Sequence, residues 1–257
     1  MCLLVVAWRS HPRYRLVVAG NRDEFHDRPT AALGWWSDAP DVLGGRDLRA
    51  GGTWLGLARS GRYALVTNFR DVNGAPPAAP SRGQLVPGFL RGDASAAGFL
   101  RSLRPTIRDY AGFNLLLGDA RELQYCCNVG EESPRELPPG IYGLSNHRLD
   151  EPWPKLVRTR ERFVATLAQP EPGPADLFEL LADPAPAGHG SPPDARLPED
   201  LERALSAPFV RHERYGTRCS TVVLAEHGGR TVVLERRFDP AGMQTGATRV
   251  EFTDTAG

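Results

Sequence analysis

Cys2 directly follows the initiator methionine, and a small second residue is the ordinary condition for trimming Met1. Trimming would leave a thiol and a free α-amine on one residue, a nucleophile carrying its own base. Both groups titrate near working pH, at roughly 8 for the amine and roughly 8.5 for the thiol. A cysteine at this position can equally be a chance residue, so what lies downstream decides. Residues 2–8, CLLVVAW, and 15–20, RLVVAG, are unbroken apolar runs rich in branched side chains, and the polar RSHPRY lies between them. This is the pattern of a hairpin of two buried strands. With the turn near Pro12, paired positions sum to about 24, which sets Cys2 opposite Arg22. The tetrapeptide Asn21-Arg22-Asp23-Glu24 would then meet the head of the chain. A guanidinium beside the thiol favours thiolate. Asp23 is the carboxylate expected to hold the protonated α-amine, Asn21 and Glu24 are expected at the pocket, and Glu24 is also expected in a structural ion pair. The alternative for four polar residues after a strand is an exposed turn.

These groups need a scaffold, and strand signals dominate the first seventy residues. GGTWLGLA at 51–58 gives a glycine turn into a strand, with Trp54 as a pocket wall or the double glycine as a plain turn. RYALVTNF at 62–69 is a strand ending near Asn68. The Trp35-Trp36 pair lies in a loop-like region. After an Ala- and Pro-rich link at 74–80, Ser81 caps a short helix through Leu90 that Pro87 should bend or shorten, and Asp93 caps another at 94–104. A hairpin at 112–119 and 123–129, a strand at 141–146 ending at Asn146, and a helix at 152–168 follow. Residues 169–198, rich in proline and glycine around a short helix, DLFELLAD, read as a mobile surface excursion or lid. A helix at 198–210 precedes two long strands, 217–225 and 231–239, joined by HGG. Segregated strand-rich and helix-rich stretches argue an α+β class in one domain over 1–257. Periodicity leaves pocket size open, chiefly at 30–50 and 169–198.

Met-Cys at the start, Asn-Arg-Asp-Glu after the second strand, Gly51-Gly52-Thr53-Trp54-Leu55-Gly56, Val66-Thr67-Asn68-Phe69-Arg70, Ser81-Arg82-Gly83, Gly143-Leu144-Ser145-Asn146 and Tyr215-Gly216-Thr217-Arg218 occur in that order. Each segment is weak alone, but together they resemble the NRDE family, the Transport and Golgi organization protein 2 homologues, over nearly the whole chain. That family in turn resembles the N-terminal nucleophile hydrolases, closest to the cysteine-type amidases of bile-salt conjugates and penicillin V. The resemblance implies a four-layer αββα sandwich of two stacked, mainly antiparallel sheets, with the nucleophile opening a central strand. It also implies an oxyanion-hole role for Asn146 and an arginine near the thiol, here Arg218. Asn68 is a second donor candidate, although a strand-end asparagine is just as often a turn residue bonded to its own backbone. Arg218 alternatively forms a salt bridge to Asp23 or Glu24 that ties the hairpin down.

The rest of the composition narrows the function by exclusion. With 31 basic and 31 acidic residues the formal charge is zero, so no field exists to gather nucleic acid or an anionic membrane. No stretch approaches the ~20 apolar residues of a membrane span. The run after Met1 lacks a basic region before it, so a cytoplasmic protein is expected. Thirty of the cations are arginine and one is lysine, the coding bias of a GC-rich bacterial genome. Cys126, Cys127 and Cys219 show no metal-ligand spacing, and no metal or required cofactor is expected. Three functions stay open. The family resemblance implies a pocket that holds haem or an acyl-lipid such as an acyl-CoA as a transported ligand. The first alternative is an amidase or thioesterase using Cys2. Or the chain is a catalytically silent interaction protein.

Overall fold

The computed structural model describes residues 2–70, 76, 78–130, 134–188 and 197–255. Its first sheet has six strands in the order β10-β1-β2-β11-β12-β13: β10 (Gly140–Leu144), β1 (Cys2–Trp8), β2 (Tyr14–Phe25), β11 (Tyr215–Glu226), β12 (Arg230–Phe238) and β13 (Gln244–Thr253). The second is a seven-stranded meander: β3 (Thr30–Trp36), β4 (Ala39–Asp47), β5 (Leu55–Ala58), β6 (Tyr63–Asn68), β7 (Phe113–Gly118), β8 (Leu123–Cys127) and β9 (Arg135–Glu136). All pairings are antiparallel.

The two sheets stack face to face over Leu4, Val6, Trp8, Val18, Leu65 and Leu116. The outer face of the first sheet is covered by α3 (Pro154–Leu167) and α4 (Pro174–Leu181), through Leu3, Val5, Phe163, Leu177 and Phe178. That of the second is covered by α1 (Leu85–Leu90) and α2 (Ala96–Leu103), through Val86, Phe89, Leu100 and Leu115. The result is the αββα sandwich. Strands β1 and β2 bury both faces, so their side chains read as continuous apolar runs rather than as an alternation.

The first hairpin has the register the sequence implies, with Cys2 opposite Arg22 and Trp8 opposite Leu16. Elsewhere the structure corrects the reading. The Trp35-Trp36 pair lies on β3, within a β3–β4 hairpin whose register slips twice, and Trp36 is buried with its Nε1–H donating to the Gly44 carbonyl. Within 169–198, α4 is core rather than excursion: Leu177, Phe178, Leu180 and Leu181 are buried against the first sheet. Residues 189–196 of that stretch, Met1, and residues 74, 75 and 77 of the 74–80 link lie outside the described residues. The cap of α2 is Ser95, which accepts from the Gly98 N–H at 3.1 Å, in place of Asp93. Ser81 makes no cap bond, and Pro87 falls in the first turn of α1, where its missing N–H costs nothing. The last helix, α5, spans only Glu199–Leu205. No helix among the described residues is long and apolar enough to cross a membrane.

Candidate active site

Cys2 opens β1 between β10 and β2, so its neighbours come from both sides. Its backbone N–H donates to Asn146 Oδ1 at 3.2 Å, and its carbonyl accepts from Ser145 Oγ at 3.1 Å. Asn146, fully buried just past β10, also donates from Nδ2 to the Asn68 carbonyl at 2.8 Å. Thr67 Oγ1 donates to the Ser145 carbonyl and the Arg70 N–H to the Asn146 carbonyl, at 3.0 and 2.7 Å. These bonds lace the end of β6 to the end of β10, joining the two sheets around Asn146.

A cavity of about 340 Å³ opens beside the sulfur, lined by Cys2, Arg22, Asp23, Glu24, Trp54, Asn68, Arg82 and Cys219 among others. A second, of about 290 Å³, shares Glu24, Asn68 and Arg82 with the first. Its other walls are Phe25, Phe69, Leu197, Leu201, Leu205 and Tyr215, with Arg70 and Asn146 at the polar side. A polar chamber and an apolar chamber therefore meet at Asn68 and Arg82. Close backbone packing shapes the first chamber: a Cβ on Gly52 would lie 2.3 Å from the Gly83 carbonyl oxygen, so only glycine fits there.

Alternation along β2 sorts the tetrapeptide. Arg22 faces the cavity, where Nη1 donates to Thr30 Oγ1 at 3.3 Å and Nη2 lies 3.8 Å from Glu24 Oε2. Glu24 accepts from the Phe25 N–H at 2.9 Å and also neighbours Arg28, at 4.0 Å. Asn21 faces the other way, into the helical layer. Its Nδ2 donates to the Leu181 and Pro208 carbonyls, both at 2.9 Å, and its Oδ1 accepts from Ser220 Oγ at 2.6 Å. It ties α4 to the sheet and does not line the cavity. Asp23, two residues on, accepts from Thr217 Oγ1 at 2.7 Å. Burial lifts its carboxyl to about 6, against the pull of nearby cations, Lys155 and Arg22 among them.

Burial also pushes the Cys2 thiol above its ordinary range, and the Asp23 charge pushes it further. The positive chain terminus, then the Asp23 backbone N–H and Arg22, pull the other way; the expected pull of Arg22 is present, and burial outweighs it. Cys219, across Arg22 on β11, is likewise raised by burial.

Arg218 is displaced from the cavity by a β-bulge. The register of β11 on β2 shifts between Thr217 and Cys219, leaving Arg218 without a partner on β2. The bulge sends Thr217 to Asp23 and Cys219 to the cavity, while Arg218 Nη1 donates to the carbonyls of Phe25, His26 and Arg28 at 2.9, 3.2 and 3.2 Å. It forms no ion pair with Asp23 or Glu24 among the described residues. Sequence reasoning missed Arg82, which stands at the junction of the chambers and donates to the Gly112 carbonyl at 2.9 Å. The only available signal was its place in Ser81-Arg82-Gly83. Lys155, the one lysine of the sequence, is buried, and its Nζ donates to the Leu205 carbonyl at 2.8 Å.

Two structures of the conjugated bile acid hydrolase from Clostridium perfringens share this fold. One has a TM-score of 0.54 at 7% identity, covering 100% of this chain and 94% of that one; the other has 0.52 at 8%, covering 98% and 92%. Among sequence relatives, the Homo sapiens Transport and Golgi organization protein 2 homolog is 32% identical over 274 residues, covering 98% of this chain and 99% of the relative. The Mus musculus homolog is 32% identical over 256 residues, covering 92% of each. The Drosophila melanogaster protein is 28% identical over 272, covering 94% and 95%. The family model for Transport and Golgi organisation 2 matches residues 1–240, and the chain belongs to that family, built on an N-terminal nucleophile hydrolase fold.

Proposed function

We propose that the protein hydrolyses an amide or thioester bond of an amphiphilic acyl compound, with Cys2 as an N-terminal nucleophile once Met1 is removed. The observation that carries this reading is the placement of Cys2 beside the joined polar and apolar chambers, with its nitrogen on Asn146. The freed α-amine takes the thiol proton, directly or through water. The thiolate adds to the carbonyl carbon, and the oxyanion receives the Asn146 N–H not used on Asn68 and the side-chain amide of Asn68. Collapse breaks the bond to the leaving amine or thiol, which takes the proton from the ammonium. Water then cleaves the acyl-thioester, releasing the acid and restoring the thiol. The apolar chamber suits the acyl portion, and Arg22, Arg28 and Arg82 suit an anionic leaving portion.

A second reading is supported by the same atoms: an asparagine already bonded to Asn68, and an apolar chamber beside the arginines, suit carriage of haem or an acyl-CoA without cleavage. Protein confirmed by mass spectrometry to start at Cys2 is incubated with amide and thioester panels, and separately with haem. Turnover in wild type that vanishes in Cys2→Ala and Cys2→Ser supports the hydrolase. A saturable haem or acyl-CoA signal without turnover overturns it in favour of carriage, and silence in both assays leaves an interaction protein.

A further inference from the structure

Glu235, on β12, is 4% exposed and lines the polar chamber that holds Cys2. Its Oε1 accepts from the Leu33 N–H of β3 at 3.0 Å and from Arg237 Nη1 at 3.3 Å, so this one oxygen stitches the two sheets together. Its other oxygen, Oε2, accepts no hydrogen bond among the described residues and stays open to the chamber. A Cβ built on Gly45, another wall residue, would stand 3.5 Å from Oε2, so the bare glycine keeps clear the space before that oxygen. A carboxylate oxygen so deeply placed is costly to leave without a donor. The wall arginines do not supply one: Arg22 is engaged with Thr30 and Glu24, Arg28 with Asp47, and Arg46 with Asp38. Stitching occupies Oε1 and leaves Oε2 for what enters the chamber.

Strand pairing fixes where Glu235 stands relative to the sulfur. Cys2, Arg22 and Cys219 form one row across β1, β2 and β11, since Arg22 pairs with both cysteines. Arg237 continues that row on β12. Glu235 lies two residues along the same strand, hence on the same inner face. Three strand spacings and a two-residue step put the Cα atoms of Cys2 and Glu235 roughly 16 Å apart. Arg22 and Cys219 line the way between them. The chamber therefore runs along the sheet, with the nucleophile at one end and an open carboxylate oxygen at the other.

We propose that Glu235 Oε2 is the subsite for a hydrogen-bond-donating tip, an ammonium or a hydroxyl, on a long and slender leaving portion. Its part in substrate choice rests on the hydrolase reading, whereas binding of the tip does not. An extended chain advances about 1.2 Å per bond, so a tip seated on Oε2 lies on the order of ten bonds from the atom that leaves the acyl carbon. A short leaving amine cannot make this contact. The arginines nearer Cys2 take an anionic group, and Glu235 takes the donor at the far end.

The Leu33 amide reports on the site, because its proton rests on the same carboxylate. ¹⁵N–¹H spectra of the full chain are titrated with hexylammonium, hexanol and pentyl methyl ether, which share a chain and differ in the tip. The expected result is a saturable shift of the Leu33 resonance with hexylammonium, hexanol or both, and a Kd at least about tenfold weaker for the ether. The tighter of the two donors tells ammonium from hydroxyl. Glu235→Gln sets a donor where Oε2 accepts and should weaken hexylammonium about tenfold. Gly45→Ala keeps the carboxylate and its stitches but fills the space before Oε2, and should weaken the donor probes to the level of the ether. Should Glu235→Gln fail to fold, Gly45→Ala decides. Equal binding of the ether, or a Leu33 resonance that none of the three moves, overturns the subsite. In turnover, amides whose leaving amine carries a donor about ten bonds out should exceed their methyl-ether counterparts about tenfold in kcat/KM, and Gly45→Ala should abolish that ratio. A ratio of one in wild type overturns the role in substrate choice. Turnover of no amide sinks the hydrolase reading, and the Leu33 titration then decides the subsite alone.

Discussion

Asp23 should make the protein more stable as the solution turns acidic, opposite to the usual behaviour of a paired carboxylate. Its folded pKa of about 6 stands above the ordinary 3.8 because the carboxylate is buried. The native state therefore binds the proton more tightly than the unfolded chain. The unfavourable contribution is fully present above the folded value and disappears as pH falls through 6 toward 3.8. A gap of about 2 units corresponds to about 3 kcal/mol in full, of which about 2 kcal/mol is recovered between pH 7 and pH 4. Asparagine keeps the acceptor for Thr217 Oγ1 but cannot titrate. Urea unfolding of wild type and Asp23→Asn at half-unit intervals isolates this contribution, since all other groups are common to both. The difference in unfolding free energy, wild type minus variant, should rise by about 2 kcal/mol from pH 7 to pH 4. Parallel profiles, or a difference that falls, would refute the buried-carboxylate argument.

Other expectations follow from particular contacts. Asn21→Ala strands the Leu181 and Pro208 carbonyls and Ser220 Oγ; chemical denaturation should show a loss of about 3 kcal/mol or more, with the Cys2 alkylation rate of the folded fraction unchanged. Gly52→Ala drives a methyl into the Gly83 carbonyl, and calorimetry should register about 1–3 kcal/mol of destabilisation. Arg82→Gln removes the cation at the junction of the chambers. In the hydrolase reading, KM for anionic substrates should rise about tenfold while neutral analogues are spared.

The first hairpin was legible because two doubly buried strands and a proline-bearing turn leave one register, and that register sets Arg22 against Cys2. Its parity was the harder part. Asn21 and Arg22 differ by one position and point to opposite faces, which composition cannot distinguish. Arg218 was misplaced for the same reason, since one unpaired residue in β11 reverses every facing beyond it and leaves no trace in residue type. The β3–β4 hairpin read as loop because glycines interrupt both strands, and only tertiary packing of Leu33, Trp36 and Leu43 stabilises them. β13 carries few apolar residues because it is an exposed edge, so its alternation was faint. Proline and glycine around α4 drew attention from the leucines that bury it. Lys155 stood out in the sequence only as the single lysine, because its burial depends on what the 205–210 segment does far away in sequence.

With its one ε-amine enclosed, the folded molecule offers acylating reagents and crosslinkers no lysine at its exterior. Amine-directed dyes should therefore leave the one ε-amine unmarked for as long as the molecule stays folded. Any cellular tagging machinery that needs a lysine would have to wait until α3 peels away, so such tagging would report unfolding rather than abundance.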